Sequence, residues 1–124
     1  QMLKKFTQKE ISFNFTPHLT PMFRGILSTI YIDLENNVSQ SKVIKVLKDF
    51  YKKEDFVKIL KADRLIGTND VINSNNCFIS VCKSKYKNKI IILSAIDNLI
   101  KGGAGQAVQN LNIKFNFPIK TALS

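Results

Sequence analysis

The stretch SAIDNLIKGGAGQAVQNLN, residues 94–112, combines three glycines with carboxylate, amide and lysine side chains. Gly102, Gly103 and Gly105 begin an amphipathic segment, where the free N–H groups and the dipole of a helix favour an anion. The spacing matches neither GxGxxG, because Val108 occupies the third glycine position, nor GxxxxGK[ST]. Two interpretations stay open, a bound phosphate and close packing of a helix, and the spacing favours packing.

Three polar side chains, Asp97, Asn98 and Lys101, directly follow the apolar run IIILSAI. An amide can bind a carboxamide through two hydrogen bonds, and a lysine can bind a phosphate or a carboxylate. The alternative is a helix capped by Asp97 or Asn98 beside a solvated lysine. The local pattern alone favours the cap.

His18 is the single histidine of the chain and lies between two prolines, six residues before Arg24. This pair would suit recognition of an anion, although a lone loop histidine is more often structural. Without a second histidine or a Cys/His cluster, a zinc site is disfavoured, so we predict no bound metal.

The two cysteines, Cys77 and Cys82, lie five residues apart in a predicted strand, so their side chains point to opposite faces and cannot pair. Free thiols fit a reducing, cytoplasmic setting. Either cysteine would need a neighbouring base or a helix N-terminus to act as a nucleophile. We interpret both as small apolar residues.

The formal net charge is +10, and all but two of the 19 basic residues are lysines scattered along the chain. Arginine is the usual reader of phosphate forks and guanine edges, so we predict no nucleic-acid partner. A lysine-rich nucleic-acid binder is kept as a third hypothesis, whose affinity would fall steeply with salt. No apolar run approaches the roughly 20 residues of a membrane span, so we predict no membrane partner.

The elements that must position these residues follow from periodicity. Ile11, Phe13 and Phe15 alternate with polar residues and predict a strand, followed by a loop over 17–25. Further strands are predicted over 25–34, 56–60, 77–81 and 90–96, and the last two form a hairpin with 90–96 at the centre of a sheet.

Two helices complete the predicted fold. Ser39 or Ser41 caps the first, and the second presents an apolar face made of Ile100, Ala104, Ala107, Val108 and Leu111. The order of elements lacks βαβ regularity, so the fold class is α+β, a mixed or antiparallel sheet with helices on one face.

Four ordered stretches resemble the C-terminal part of the N-acetyl-gamma-glutamyl-phosphate reductases, the NADPH-dependent enzymes of arginine biosynthesis. They are FNFTPHLTPMFRGILSTIY (13–31), YKKEDFVKIL (51–60), VINSNNCFISV (71–81) and SAIDNLIKGGAGQAVQNLNIKF (94–115). The first and last stretches are the specific ones. The resemblance implies an oxidoreductase that converts N-acetyl-glutamyl 5-phosphate to its semialdehyde, and a fold like the C-terminal domain of glyceraldehyde-phosphate dehydrogenase-type enzymes.

The resemblance also implies a division of labour. Residues 1–96 would form the sheet of a substrate and dimerisation domain of a homo-oligomer, and residues 97–124 would pack against a dinucleotide-binding domain that this chain lacks. NADP would be bound mainly by that domain, with help from Asp97, Asn98, Lys101 and Gly102. His18 and Arg24 would lie near the small acyl-phosphate substrate.

The cysteine and histidine that perform the family's covalent chemistry have no counterpart in this sequence, so we expect no catalytic residue and an inactive isolated chain. It would be a piece, a proteolytic product or one half of a split enzyme. The family usually has alanine at 103, so Gly103 should loosen the helix at a cost of about 1 kcal/mol. The alternative function is a self-associating, non-catalytic binding or scaffold module.

Overall fold

The computed structural model describes residues 11–123, which form one four-stranded sheet and two α-helices. In chain order the elements are β1 (Ile26–Asp33), α1 (Gln40–Tyr51), β2 (Val57–Ile59), β3 (Cys77–Lys83), β4 (Lys89–Ile96) and α2 (Gly105–Lys114). The strand order is β1-β4-β3-β2, with β4 antiparallel to both neighbours and β2 parallel to β3. The predicted mixed α+β sheet and its central strand are therefore confirmed.

The sheet buries residues on both faces of β3 and β4, whereas β1 is mostly exposed. On one face, Ala95 of β4 packs with Ile66 and Val71 from the long connection between β2 and β3. On the other face, Val81 and Ile90 are buried. Helix α1 packs against β2 and β3, and Ser39 caps it by accepting a hydrogen bond from the Lys42 N–H at 3.2 Å, as one of the two predicted caps.

The strand predicted over residues 11–16 is wrong. This segment is irregular, and Ile11, Phe13 and Phe15 are exposed. Alternation selects a face, but a strand also needs a neighbour for its N–H and C=O groups, and no strand within residues 11–123 pairs with this segment. The first ten residues of the predicted 1–96 domain, and residue 124, lie outside the described residues.

The predicted apolar face of the second helix is not the side that the helix buries within this chain. Helix α2 buries Gly105, Gln109 and Asn112, which share a face at i, i+4 and i+7, whereas Leu111 is exposed. One wide turn (Ile100–Ala104) precedes α2, and Gly103 within it has non-helical dihedrals (φ −146°, ψ −111°). The helical period therefore does not continue through the turn, so Ile100 leaves the predicted face, whereas Ala107, Val108 and Leu111 still share one side of α2, opposite its buried side. Gly103 loosens the helix, as expected.

Candidate functional site

The carboxylate of Asp97 stands immediately after β4 and is fully buried, with 0% of the residue exposed. Arg24 binds it through two parallel contacts, from Nε to Oδ1 at 3.0 Å and from Nη2 to Oδ2 at 2.9 Å. Three backbone N–H groups also donate to it: Asn73 to Oδ2 at 2.8 Å, and Leu99 and Ile100 to Oδ1 at 2.9 and 3.0 Å. We call Asp97 and these donors the Asp97 clasp.

The clasp controls the ionisation of its carboxyl group. Burial by itself would raise the pKa of Asp97, but the hydrogen bonds from Ile100, Arg24, Asn73 and Leu99 outweigh burial and lower that pKa from 3.8 to about 2. A carboxylate that accepts several N–H bonds is stabilised in its charged form. Asp97 is therefore an anion throughout the physiological range, permanently paired with Arg24.

A pH dependence of stability follows from this lowered pKa. Because the folded state binds the Asp97 proton more weakly than the unfolded state, the stabilisation is complete above 3.8 and is lost as pH falls towards about 2. Urea unfolding measured at steps across this range should show the free energy of unfolding falling with pH. The exposed carboxyls of Asp49 and Asp63 also have lowered pKa values, so the contribution of Asp97 is the difference from the Asp97→Asn variant. An identical pH profile in that variant would contradict the assignment.

Asn98, the next residue, links the segment that follows β4 to the start of β1. Its Oδ1 accepts a hydrogen bond from the backbone N–H of Gly25 at 2.8 Å. Gly25 has φ +109°, a conformation that suits glycine and lets the chain turn from the 17–25 loop into β1. Asp97 and Asn98 therefore hold neighbouring residues of the same loop, Arg24 and Gly25.

Lys101 belongs to a second, inward-facing cluster. Its Nζ donates to Gln109 Oε1 at 2.8 Å and lies 5.4 Å from the centre of the Phe56 ring. The same Gln109 oxygen accepts from Asn75 Nδ2 at 2.9 Å. Burial lowers the pKa of Lys101. In this structure the lysine supports the packing of α2, and its ammonium is already hydrogen-bonded.

The three glycines have different surroundings. The Gly102 N–H donates to the Asp97 carbonyl at 2.9 Å, five residues back, which is the pattern of a wide helical turn often found at functional sites. Gly102 and Gly103 are exposed, so their backbone is open to close approach. Gly105 is buried against Asn75 and Ile100. Of the two interpretations, close packing therefore describes Gly105.

His18 lies on the exposed 17–25 loop, with Nδ1 3.1 Å from the carbonyl oxygen of Thr16. Arg24, at the other end of the loop, is turned towards Asp97. Among the contacts of the described residues none joins the histidine to the arginine. The structure therefore brings Arg24 together with Asp97 and Asn98, and leaves His18 apart.

Sequence reasoning missed the contributions of Asn73, Asn75 and Gln109. The asparagines lie in the long connection between β2 and β3, and the run NSNN at 73–76 was the available signal, because asparagine favours turns with a positive φ. Asn73 has φ 60°, which aims its N–H at Asp97. Gln109 carried no signal, since an amide on a helix is ordinarily solvated.

Residues 11–123 also bear on metal sites, thiol chemistry and membrane spans. Within them, no group of three or more His, Cys, Asp or Glu side chains is arranged to hold a metal ion. Cys77 and Cys82 are both free thiols. None of the helices described is both long and apolar enough to span a membrane.

Known proteins resemble this chain in sequence along nearly its whole length. Residues 1–98 match the family model described as semialdehyde dehydrogenase, dimerisation domain. The chain is 50% identical over 123 residues to the N-acetyl-gamma-glutamyl-phosphate reductase of Desulforamulus reducens, and 48% identical over 123 residues to that of Thermoanaerobacter pseudethanolicus. Each alignment covers 99% of this chain and 36% of the relative, so the chain spans about a third of the length of these proteins.

The fold has a counterpart among solved structures. Aspartate semialdehyde dehydrogenase II from Vibrio cholerae superposes with a TM-score of 0.54 and 20% identity, over 76% of this chain and 28% of that protein. At this identity the similarity concerns the fold alone.

Proposed function

Because this chain belongs to the semialdehyde dehydrogenase dimerisation-domain family, we propose that it is the C-terminal, sheet-forming part of an N-acetyl-gamma-glutamyl-phosphate reductase. The observation that carries the proposal is the 50% identity to such a reductase over 99% of the chain. The longer protein would use NADPH to convert N-acetyl-glutamyl 5-phosphate to its semialdehyde in arginine biosynthesis. We place it in the cytoplasm, where its two free thiols stay reduced.

We propose that residues 1–96 form the substrate and dimerisation domain, and that residues 97–124 pack against the dinucleotide-binding part of the longer protein. Self-association through the sheet agrees with the dimerisation family that matches residues 1–98. The partners are therefore a second copy, the dinucleotide-binding part and a small acyl phosphate.

NADP supplies the hydride when it is bound, and the residues that follow β4 fit its nicotinamide end unequally. Gly102 and Asn98 fit best, because Gly102 exposes its backbone and Asn98 is only half-buried. Asp97 is fully buried, so its role towards the cofactor is to hold the residues that follow β4 in place. Lys101 would reach a cofactor only by leaving Gln109.

We propose that Arg24 faces the substrate together with His18. The pairing with Asp97 uses Nε and Nη2, which leaves Nη1 outside the ion pair, and the arginine side chain retains 18% exposure. A guanidinium fixed on one side by a carboxylate is a rigid donor for a second acid, such as the carboxylate or phosphate of an acyl phosphate. Asp97 thereby connects Asn98 and Gly102, which are proposed to contact the cofactor, with Arg24, which is proposed to contact the substrate.

Asn98→Ala in the longer protein is expected to raise the Michaelis constant for NADPH roughly tenfold, the usual effect of losing one hydrogen bond. Steady-state kinetics at saturating acyl phosphate provide the measurement. Asn36→Ala is the matched control, because Asn36 is exposed between β1 and α1, outside residues 97–124, and its side chain bonds only to Asn88 in the described contacts.

An unchanged Michaelis constant and turnover in Asn98→Ala would remove Asn98 from the cofactor site. A longer protein that failed to reduce any acyl phosphate, while still forming a stable dimer, would instead favour the scaffold module. Unfolding curves of both variants must accompany the kinetics, since Asn98 also holds Gly25.

A further inference from the structure

The ammonium group of Lys101 is held by groups that carry no negative charge. Its Nζ donates to the amide oxygen of Gln109 at 2.8 Å and lies 5.4 Å from the centre of the Phe56 ring. Gln109 and Phe56 are both buried, so this side of the lysine is turned away from water. Within residues 11–123, no carboxylate lies at ion-pair distance from Lys101.

These surroundings suit a neutral amine. Burial is the largest influence on the pKa of Lys101 and lowers it, while the charges of Cys77, on β3, and of Glu54, between α1 and β2, act in the opposite direction. The Phe56 ring favours the ammonium only weakly. The amide oxygen of Gln109 accepts a hydrogen bond from an amine as well as from an ammonium. Lys101 can therefore lose a proton without losing this contact, and its lone pair then becomes nucleophilic.

We propose that Lys101 is an acylation site for acyl phosphates. The amine nitrogen attacks the carbonyl carbon, the new N–C bond forms as the C–O bond to the phosphate breaks, and the phosphate leaves with that electron pair. The nitrogen releases one proton to water, and no oxidant or reductant takes part. The product is an amide whose remaining N–H can still donate to Gln109. This inference rests on the proposed function for its source of acyl phosphate.

Acylation of Lys101 would act on the longer protein through charge. The proposed function puts the residues that follow β4 beside a cofactor that exchanges at each turnover, so small solutes reach the same segment. An amide at Nζ removes the positive charge of the lysine. Binding of the anionic cofactor is therefore weakened as acyl phosphate accumulates, and the acyl phosphate limits its own reduction.

The test treats the longer protein, free of cofactor, with acetyl phosphate at neutral pH and stops while every lysine is only partly modified. Denaturation and deuterated acetic anhydride then label the remaining amines, and mass spectrometry gives the fraction acetylated by acetyl phosphate at each lysine. Lys101 should react several-fold faster than Lys42, which is exposed on α1. The excess should vanish in urea, and it should shrink as the pH rises towards 10.5, where ordinary lysines also lose their proton.

Gln109→Glu separates the effect of desolvation from that of access. A carboxylate in place of the amide holds Lys101 as an ammonium, so its acetylation should fall to the level of Lys42. Asn110→Asp is the matched control, because it adds the same charge at an exposed position of α2 and should leave Lys101 reactive. Circular dichroism shows whether each variant is folded, and the urea and pH series on the wild type decide the outcome if Gln109→Glu is not.

The possible results distinguish this inference from the proposed function. A wild-type protein that reduces acyl phosphate but acetylates Lys101 no faster than Lys42 would overturn the inference and leave the proposed function standing. Acetylation of Lys101 in a protein that reduces no acyl phosphate would support the site and remove the proposed function. Loss of acetylation in Cys77→Ser would assign the transfer to a thioester on Cys77 and would overturn direct attack by the amine.

Discussion

Asp97→Asn is expected to lower the free energy of unfolding by about 3–5 kcal/mol, the usual cost of breaking a buried ion pair from one side. Asparagine keeps the shape of the carboxyl group, but it presents an NH₂ group where Arg24 or Asn73 now donates. Arg24 then keeps its charge without a counterion, in a site where its side chain is only 18% exposed. Urea unfolding at neutral pH, followed by circular dichroism, measures the loss.

The control for this variant is Asp49→Asn, which makes the same chemical change in the Lys45–Asp49 pair on the surface of α1. Both partners there are exposed, and exposed pairs contribute little, so we expect unfolding indistinguishable from wild type. Equal effects of the two substitutions would show that the Asp97 clasp is not a buried network. Arg24→Lys is a further control, because lysine keeps the positive charge but cannot make the two parallel contacts to the Asp97 carboxylate.

Gly105→Ala is expected to destabilise the chain by about 3 kcal/mol, at the upper end of the range for overpacking. The dihedrals of Gly105 are ordinary helical ones (φ −64°, ψ −37°), so propensity alone would make alanine stabilising by about 1 kcal/mol. The space around Gly105 decides whether alanine stabilises or destabilises the chain. A Cβ atom would lie 2.5 Å from Ile100 Cγ2, 2.6 Å from Asn75 Oδ1 and 2.9 Å from the Ile100 carbonyl oxygen, and a backbone atom cannot move aside cheaply.

The matched control is Gly102→Ala, three residues earlier, where the nearest atom would lie 3.6 Å from the new Cβ. That distance is ordinary van der Waals contact, and we expect little change in thermal stability. A stabilised Gly105→Ala would show that α2 can shift away from Asn75, and would refute the close packing assigned to this glycine.

Alternation and turn residues were enough to predict most of the sheet. The continuous apolar run of β4 predicted its central position, because a strand buried on both faces needs no polar side. The strand predicted at residues 11–16 failed because side-chain pattern carries no information about which backbone will pair with it. The buried side of α2 was missed because it consists of Gly105, Gln109 and Asn112, which no apolar pattern marks.

The candidate site was predicted as separate parts. Asp97 and Asn98 stood out at the end of an apolar run, and Arg24 in a loop after two prolines, but nothing local indicates that Asp97 binds Arg24 and Asn98 binds Gly25, each across 73 positions of sequence. The packing of β1 beside β4 creates that contact. The backbone N–H group that Asn73 donates to the Asp97 carboxylate is equally invisible in composition.

The Asp97 clasp has a consequence for the order in which the protein acquires its structure. Its carboxylate joins segments that precede it by 73 and 24 residues, so neither segment can be anchored until β4 and the residue after it have left the ribosome. Contacts of such long sequence separation form late, because their loops must close first. The loop carrying Arg24 is thus synthesised 73 residues before the carboxylate that fixes it, and during that interval it is accessible to proteases and chaperones.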